Sequence, residues 1–124
     1  MSKTKILLDE HLDVRLKLLF DPELQVFTIK DKKWQGTLNG ELLKLMIKDK
    51  IQIFITNDKN LRYQQKLNEL DLVIIELNTK GNQYFLTAPI IIRINKFLLS
   101  NKFHQQLKKK SKTLYIVWDE KFGF

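Results

Sequence analysis

Cysteine is absent, and the 124 residues hold only four glycines, two prolines and two histidines. Without thiols there is no disulfide framework and no thiolate metal site. His11 and His104 lie far apart and lack the spacing of a paired-histidine motif, so neither is assigned a role. Ser100 has no nucleophile elbow around it, and a serine hydrolase is not expected. Long apolar runs are missing as well. "APIIIRI" is broken by Arg93, far below the length that spans a bilayer. The first apolar stretch, Ile6 to Leu8, ends on acids and is too short for a signal peptide. A soluble, cytoplasmic protein with no membrane partner is the expectation.

What is abundant is positive charge. Lysine and arginine number 22 against 14 acids, a net +8 with a pI near 9.7. The stretch 101–124 carries six basic and two acidic residues, centred on "LKKKSK". Such a balance favours polyanions through phosphate attraction and counterion release. A lysine-rich solvated face gives the same composition. For lysines 108–110 and Lys112, a flexible solvated tail is the simpler expectation.

Apolar periodicity divides the chain into alternating strands and helices. Strands are expected at Lys5–Asp9, Gln25–Ile29, Ile51–Thr56, Leu72–Leu77 and Thr113–Trp118. Helices are expected at Glu10–Phe20, from Asn39 through "NGELLKLMIKDK", at Leu61–Glu69 and at Thr87–Leu99. "DPE" at 21–23 reads as a turn, and "KDKKWQG" as a polar loop closed by Gly36, with Trp34 anchoring it. Phe85, Phe97, Phe103 and the isoleucines at 90, 91, 92 and 94 predict a heavily buried last helix, with a homodimer face as one way to cover it. No linker or repeat divides the chain. The fold class is therefore one α/β domain over 1–124, a three-layer α/β/α sandwich with a mostly parallel central sheet.

In such sheets ligands bind beyond the carboxyl ends of the strands, near a switch in strand order. Asp9 and Glu10 follow the first strand, Asp58 follows the third, and Glu41 begins the intervening helix. Each acid, and Asn39, reads singly as a helix cap or a first-turn dipole partner. Together they repel. Two unit charges about 4 Å apart at an effective dielectric near 20 oppose each other by roughly 4 kcal/mol. Three carboxylates in one crevice call for a cation, and all-oxygen ligands suit Mg²⁺ or Mn²⁺.

The stretches "ILLDEHL", "WQGTLNGELLKL" and "FITNDKNLRYQQ" resemble, in this order, a PIN-like domain of the small bacterial kind related to VapC-type toxins. The resemblance spans roughly residues 5–99, leaving 100–124 as a basic extension with a final strand. It implies metal-dependent hydrolysis of RNA phosphodiester bonds by Asp9, Glu41 and Asp58 as catalytic and metal-ligating residues, with a cognate antitoxin as protein partner. The family pattern often has a further acid two residues past the third. Here Asn60 stands there without charge, so the number of metals and the retention of activity stay open. Glu10 and Thr56 are expected to support the acids. Lys59, Arg62 and Gln65 are candidates for holding the RNA, Arg62 and Gln65 being three apart on one helical face. Two other functions fit parts of the pattern: a phosphoacceptor receiver domain, and a degenerate PIN-like RNA- or protein-binding module without catalysis.

Overall fold

The β-branched and aliphatic runs form five short strands, all parallel, in one sheet. The computed structural model describes residues 3–63, 70–110 and 112–119. The strands are β1 (Thr4–Leu8), β2 (Leu24–Thr28), β3 (Ile53–Thr56), β4 (Val73–Asn78) and β5 (Leu114–Asp119), in the order β2-β1-β3-β4-β5. The helices are α1 (Ile29–Lys32), α2 (Asn39–Lys48), α3 (Tyr84–Leu98) and α4 (Asn101–Lys109), with 3₁₀ segments at Val14–Leu19 and Lys59–Tyr63. The chain leaves β1 for β2 on one side and returns to β3 on the other, so the switch in strand order falls between β1 and β3.

Both faces of the sheet are covered, as the continuously apolar strands require. Ile6, Leu8, Ile53, Ile55, Val73, Ile75 and Ile116 face α3 and the first 3₁₀ segment, meeting Leu16, Ile91, Ile94 and Phe97. The alternate residues Leu7, Phe54 and Ile74 face Ile29 of α1, Leu42, Leu43 and Met46 of α2, and Leu61. Each such aliphatic side chain contributes roughly 1.5–3 kcal/mol when fully buried. Period-two alternation then assigns Asp9, Thr56 and Glu76 to this second face, at its carboxyl edge. No described helix is long and apolar enough to cross a membrane.

Several expected elements are corrected. The helix expected over 10–20 is only the 3₁₀ segment 14–19, because Asp13 takes the Arg15 amide at 2.9 Å and starts the turn there. Hydrogen bonds from Arg15 also hold the Asp13 carboxyl down to about 2. The loop expected over 30–36 begins as α1. Thr28 and Asp31 form a reciprocal capping box there, and Lys33, at φ 61°, ends it. Trp34 is half-buried against the second core face, as its anchoring role requires. Of the α-helix expected over Leu61–Glu69, residues 61–63 belong to the 3₁₀ segment Lys59–Tyr63, and residues 64–69 lie outside the described residues.

Helix α3 starts three residues earlier than expected, and Phe85 on it is 72% exposed rather than buried; Ile92 is also exposed. The expected solvated lysine tail is helix α4. Ser100 caps it by accepting the Phe103 amide, and Phe103 is buried against Phe97 with ring centroids 5.2 Å apart. Lys108 and Lys109 end this helix, where the dipole favours cations, while Lys110 pairs with Asp71.

Candidate functional site

β1 and β3 are direct neighbours, so the residues that follow them meet at the switch point. The ladder continues one residue past β1, the Asp9 amide donating to Ile55 O at 3.0 Å. That places Asp9 beside Thr56. Thr56 Oγ1 donates to Asp9 Oδ2 at 2.5 Å, and its oxygen accepts the Asp58 amide at 2.9 Å. The fully buried hydroxyl thus orients both acids, as expected of a supporting residue.

Each carboxylate is fixed by further neutral donors. Asp9 Oδ1 accepts the Glu10 amide at 2.7 Å. Asp58 Oδ1 accepts the Asn60 amide at 2.9 Å, and Asp58 Oδ2 accepts Asn39 Nδ2 at 3.1 Å. Asp58 therefore does serve the local turn that follows it, in addition to whatever else it does. Among the described residues, neither Asp9 nor Asp58 is in an ion pair with a lysine or arginine. Hydrogen bonds from neutral groups aim a carboxylate without cancelling its charge.

Asn39 departs from its expected part as a helix cap. The cap position of α2 is Leu38, which makes no side-chain cap bond, and Asn39 turns to Asp58 instead. Glu41 is not brought to the same point. Two residues on, about 200° around the helix, its side chain is 69% exposed and pairs with Lys44 at 3.6 Å. No group of three or more acids and histidines able to hold a metal is assembled among the described residues. Glu10 is exposed, and its carboxylate accepts the Gly36 amide at 3.0 Å. Gly36 has φ +74°, a conformation that favours glycine, so Glu10 ties this tight turn to the edge of the site.

A cleft of about 190 Å³ opens beside Asp9, between the ends of β1 and β2, lined by Glu10, Val14, Thr28, Lys30 and Gln35 among others. Lys30 and Gln35 were not singled out by the sequence. Lys59 and Asn60 are exposed at the start of the second 3₁₀ segment. Gln65 lies outside the described residues.

Arg62 is engaged elsewhere than expected. Its Nε and Nη2 donate to Glu76 at 3.3 and 2.6 Å, and Tyr115 Oη donates to the same carboxylate at 2.5 Å. Glu76 is 1% exposed and directly opposite Thr56 in the β3–β4 register. Sequence reading missed it. The ion pair raises the Arg62 pKa, and burial, then the bond to Glu76, raises that of Tyr115 well above its ordinary value.

This all-oxygen pair of carboxylates, pre-oriented and without an ion-paired lysine or arginine among the described residues, is a donor set of the kind a hard divalent cation takes. Mg²⁺ commonly binds through one or two carboxylates, retained waters and substrate phosphate. Asp9 and Asp58 would hold it. In comparisons with protein-family models, curated proteins and solved structures, the chain matched none.

Proposed function

We propose that the chain is a Mg²⁺- or Mn²⁺-dependent ribonuclease of the PIN-like kind, hydrolysing RNA phosphodiester bonds, with an antitoxin protein as its regulatory partner. The observation that carries this reading is the junction at Thr56, where one hydroxyl orients two acids from adjacent strands while leaving their charge without a described basic partner. The net charge of +8 supports a polyanionic substrate.

The bound cation would supply charge neutralisation at the phosphodiester and a more acidic water. The chain's own residues do the rest. Thr56 directs its proton to Asp9 and so keeps Asp58 Oδ1 and Oδ2 available to Asn60 and Asn39. Asp9 and Asp58 orient a water, and one of them accepts its proton as the water oxygen bonds to phosphorus; the P–O bond to one ribose oxygen breaks, and that oxygen leaves with a proton taken from solvent. Lys30 at the cleft and Lys59 at the start of the 3₁₀ segment after Asp58 attract the flanking phosphates.

Cleavage of a labelled single-stranded RNA by wild type, Asp9→Asn and Asp58→Asn, with Mn²⁺ and with chelator, tests the reading. Loss of at least about 100-fold in either variant is expected. Equal cleavage in every condition removes it.

The strand order β2-β1-β3-β4-β5 is one that doubly wound phosphoacceptor domains also use. That observation favours a receiver domain as the second reading, with Asp58 as acceptor. A phosphoryl adduct at Asp58 after treatment with a small phosphodonor, seen by intact mass, would select it. Salt-sensitive RNA binding without cleavage would select the non-catalytic module.

A further inference from the structure

Among the described residues Glu76 is the one charged side chain buried to 1% exposure, in a strand that otherwise reads "VII" and "LN". Desolvating a carboxylate carries a penalty of several kcal/mol, and an apolar residue of similar volume usually serves stability as well or better. On this face Phe54 and Ile74 are apolar, and the residue directly opposite Glu76 is Thr56, whose hydroxyl donates to Asp9 rather than to Glu76. The placement therefore asks for a function other than holding the sheet together.

What Glu76 holds is Arg62. The fork-on-carboxylate bonds at 3.3 and 2.6 Å take two of the five N–H donors of the guanidinium. Tyr115 reinforces the same carboxylate from β5, and its ring lies 5.9 Å from the guanidinium carbon. Yet 41% of the Arg62 side chain is exposed. Arg62 belongs to the 3₁₀ segment that starts one residue after Asp58, and its anchor Glu76 stands one strand from Thr56. A guanidinium carries about 2 kcal/mol of side-chain rotamer entropy. Here that freedom is already removed, on the edge of the acidic junction.

We infer that Glu76 and Tyr115 are positioning residues, which fix the Arg62 guanidinium so that its outward N–H groups receive a phosphate of the RNA strand lying across Asp9 and Asp58. This rests on the ribonuclease reading. It explains how phosphates approach an edge that carries two negative side chains. It also gives Arg62 a role lysine could not fill, because a lysine cannot hold a carboxylate with one edge and a phosphate with another.

Equilibrium binding of a fluorescein-labelled single-stranded 12-nucleotide RNA to the full chain, in chelator and across a salt series, tests the assignment. Arg62→Gln is expected to weaken binding about tenfold and lower the salt slope by about one phosphate. Glu76→Gln is the sharper variant. It removes a negative charge, so general electrostatics predicts tighter binding, whereas positioning predicts binding several-fold weaker. In the Arg62→Gln background, Glu76→Gln should then have no further effect. Tyr115→Phe keeps the ion pair and should weaken binding about threefold; it decides the matter should Glu76→Gln melt below the assay temperature. Glu76→Gln or, in that event, Tyr115→Phe binding as tightly as wild type overturns the positioning role and leaves the ribonuclease reading standing. Wild type failing to bind RNA in chelator overturns the positioning role, and the ribonuclease reading then falls only if the cleavage assay with Mn²⁺ is also negative.

Discussion

Asp9 and Glu76 flank Thr56 on neighbouring strands, and the fold treats their carboxylates in opposite ways. Asp9 is half-buried and receives neutral donors, the Thr56 hydroxyl and the Glu10 amide. Glu76 is fully buried and receives a guanidinium together with a phenol. Both acids are oriented. Among the described residues, only the second is paired with a cationic side chain. A carboxylate that already has its cation can position that cation, as proposed for Glu76 and Arg62, whereas Asp9 and its neutral donors suit the proposed divalent ion.

The largest expected effect follows from breaking the neutralised side. Arg62→Met leaves Glu76 buried without its counter-charge and should lower stability by about 2–3 kcal/mol in urea unfolding. That is below the range for a wholly buried pair, because part of the Arg62 side chain remains in water. Adding Glu76→Leu to the same variant should return most of the loss, since an apolar replacement of both partners is often neutral or better. Asp9→Asn, by contrast, should lower stability by only about 1 kcal/mol, for it keeps an acceptor for one of its two neutral donors. A drop of equal size in both single variants would erase the distinction between the two acids.

The next effect sharpens the other side. Mn²⁺ at tenfold its dissociation constant should stabilise the wild type by about 1.4 kcal/mol, a rise of about 4–6 °C in melting temperature. Asp9→Asn and Asp58→Asn should abolish the rise. Arg62→Gln should retain it, its cation being committed to Glu76. Glu41→Gln separates the ligand set implied by the resemblance from the two acids that Thr56 brings together. With Glu41 exposed and paired to Lys44, the rise should persist in that variant.

How far these sites could be read from sequence follows from the range of the contacts. The parallel α/β architecture was legible because apolar strands and helical stripes alternate along the chain. Asp9 and Asp58 were legible because each directly follows a strand, and the crevice rule needs only that those strands be neighbours. Glu41 drew attention for its place at the start of α2, but helix rotation decides which side chain faces the crevice, and it selected Asn39. Glu76 was invisible for a different reason. Its partners stand 14 residues before it and 39 after it, and the register that sets it opposite Thr56 exists only once β3 and β4 pair. Helix α4 escaped because it carries one buried aromatic amid lysines, too sparse a stripe to reveal a helix.

Asp31 offers the smallest and cleanest test of what neutral donors do to a carboxylate. The Thr28 amide donates to it at 2.8 Å, and Lys17 Nζ lies 2.9 Å away on the exposed side. Its pKa is lowered from 3.8, first by the backbone bond from Thr28 and then by Lys17, against the opposing effect of burial. Because the folded value is depressed, the stabilisation is complete above the unfolded value of 3.8 and is lost as pH falls through the lower, folded value. Thr28→Ala removes the hydroxyl half of the capping box and should lower stability by about 1 kcal/mol at neutral pH. Lys17→Met should have a smaller effect, a few tenths of a kcal/mol, as exposed pairs do. Carboxyl-carbon NMR titration then isolates the neutral donor. In Lys17→Met the Asp31 midpoint should stay below 3.8, held there by a backbone amide that brings no net charge. A midpoint returning to the unfolded value would show that the cation alone held Asp31 ionised.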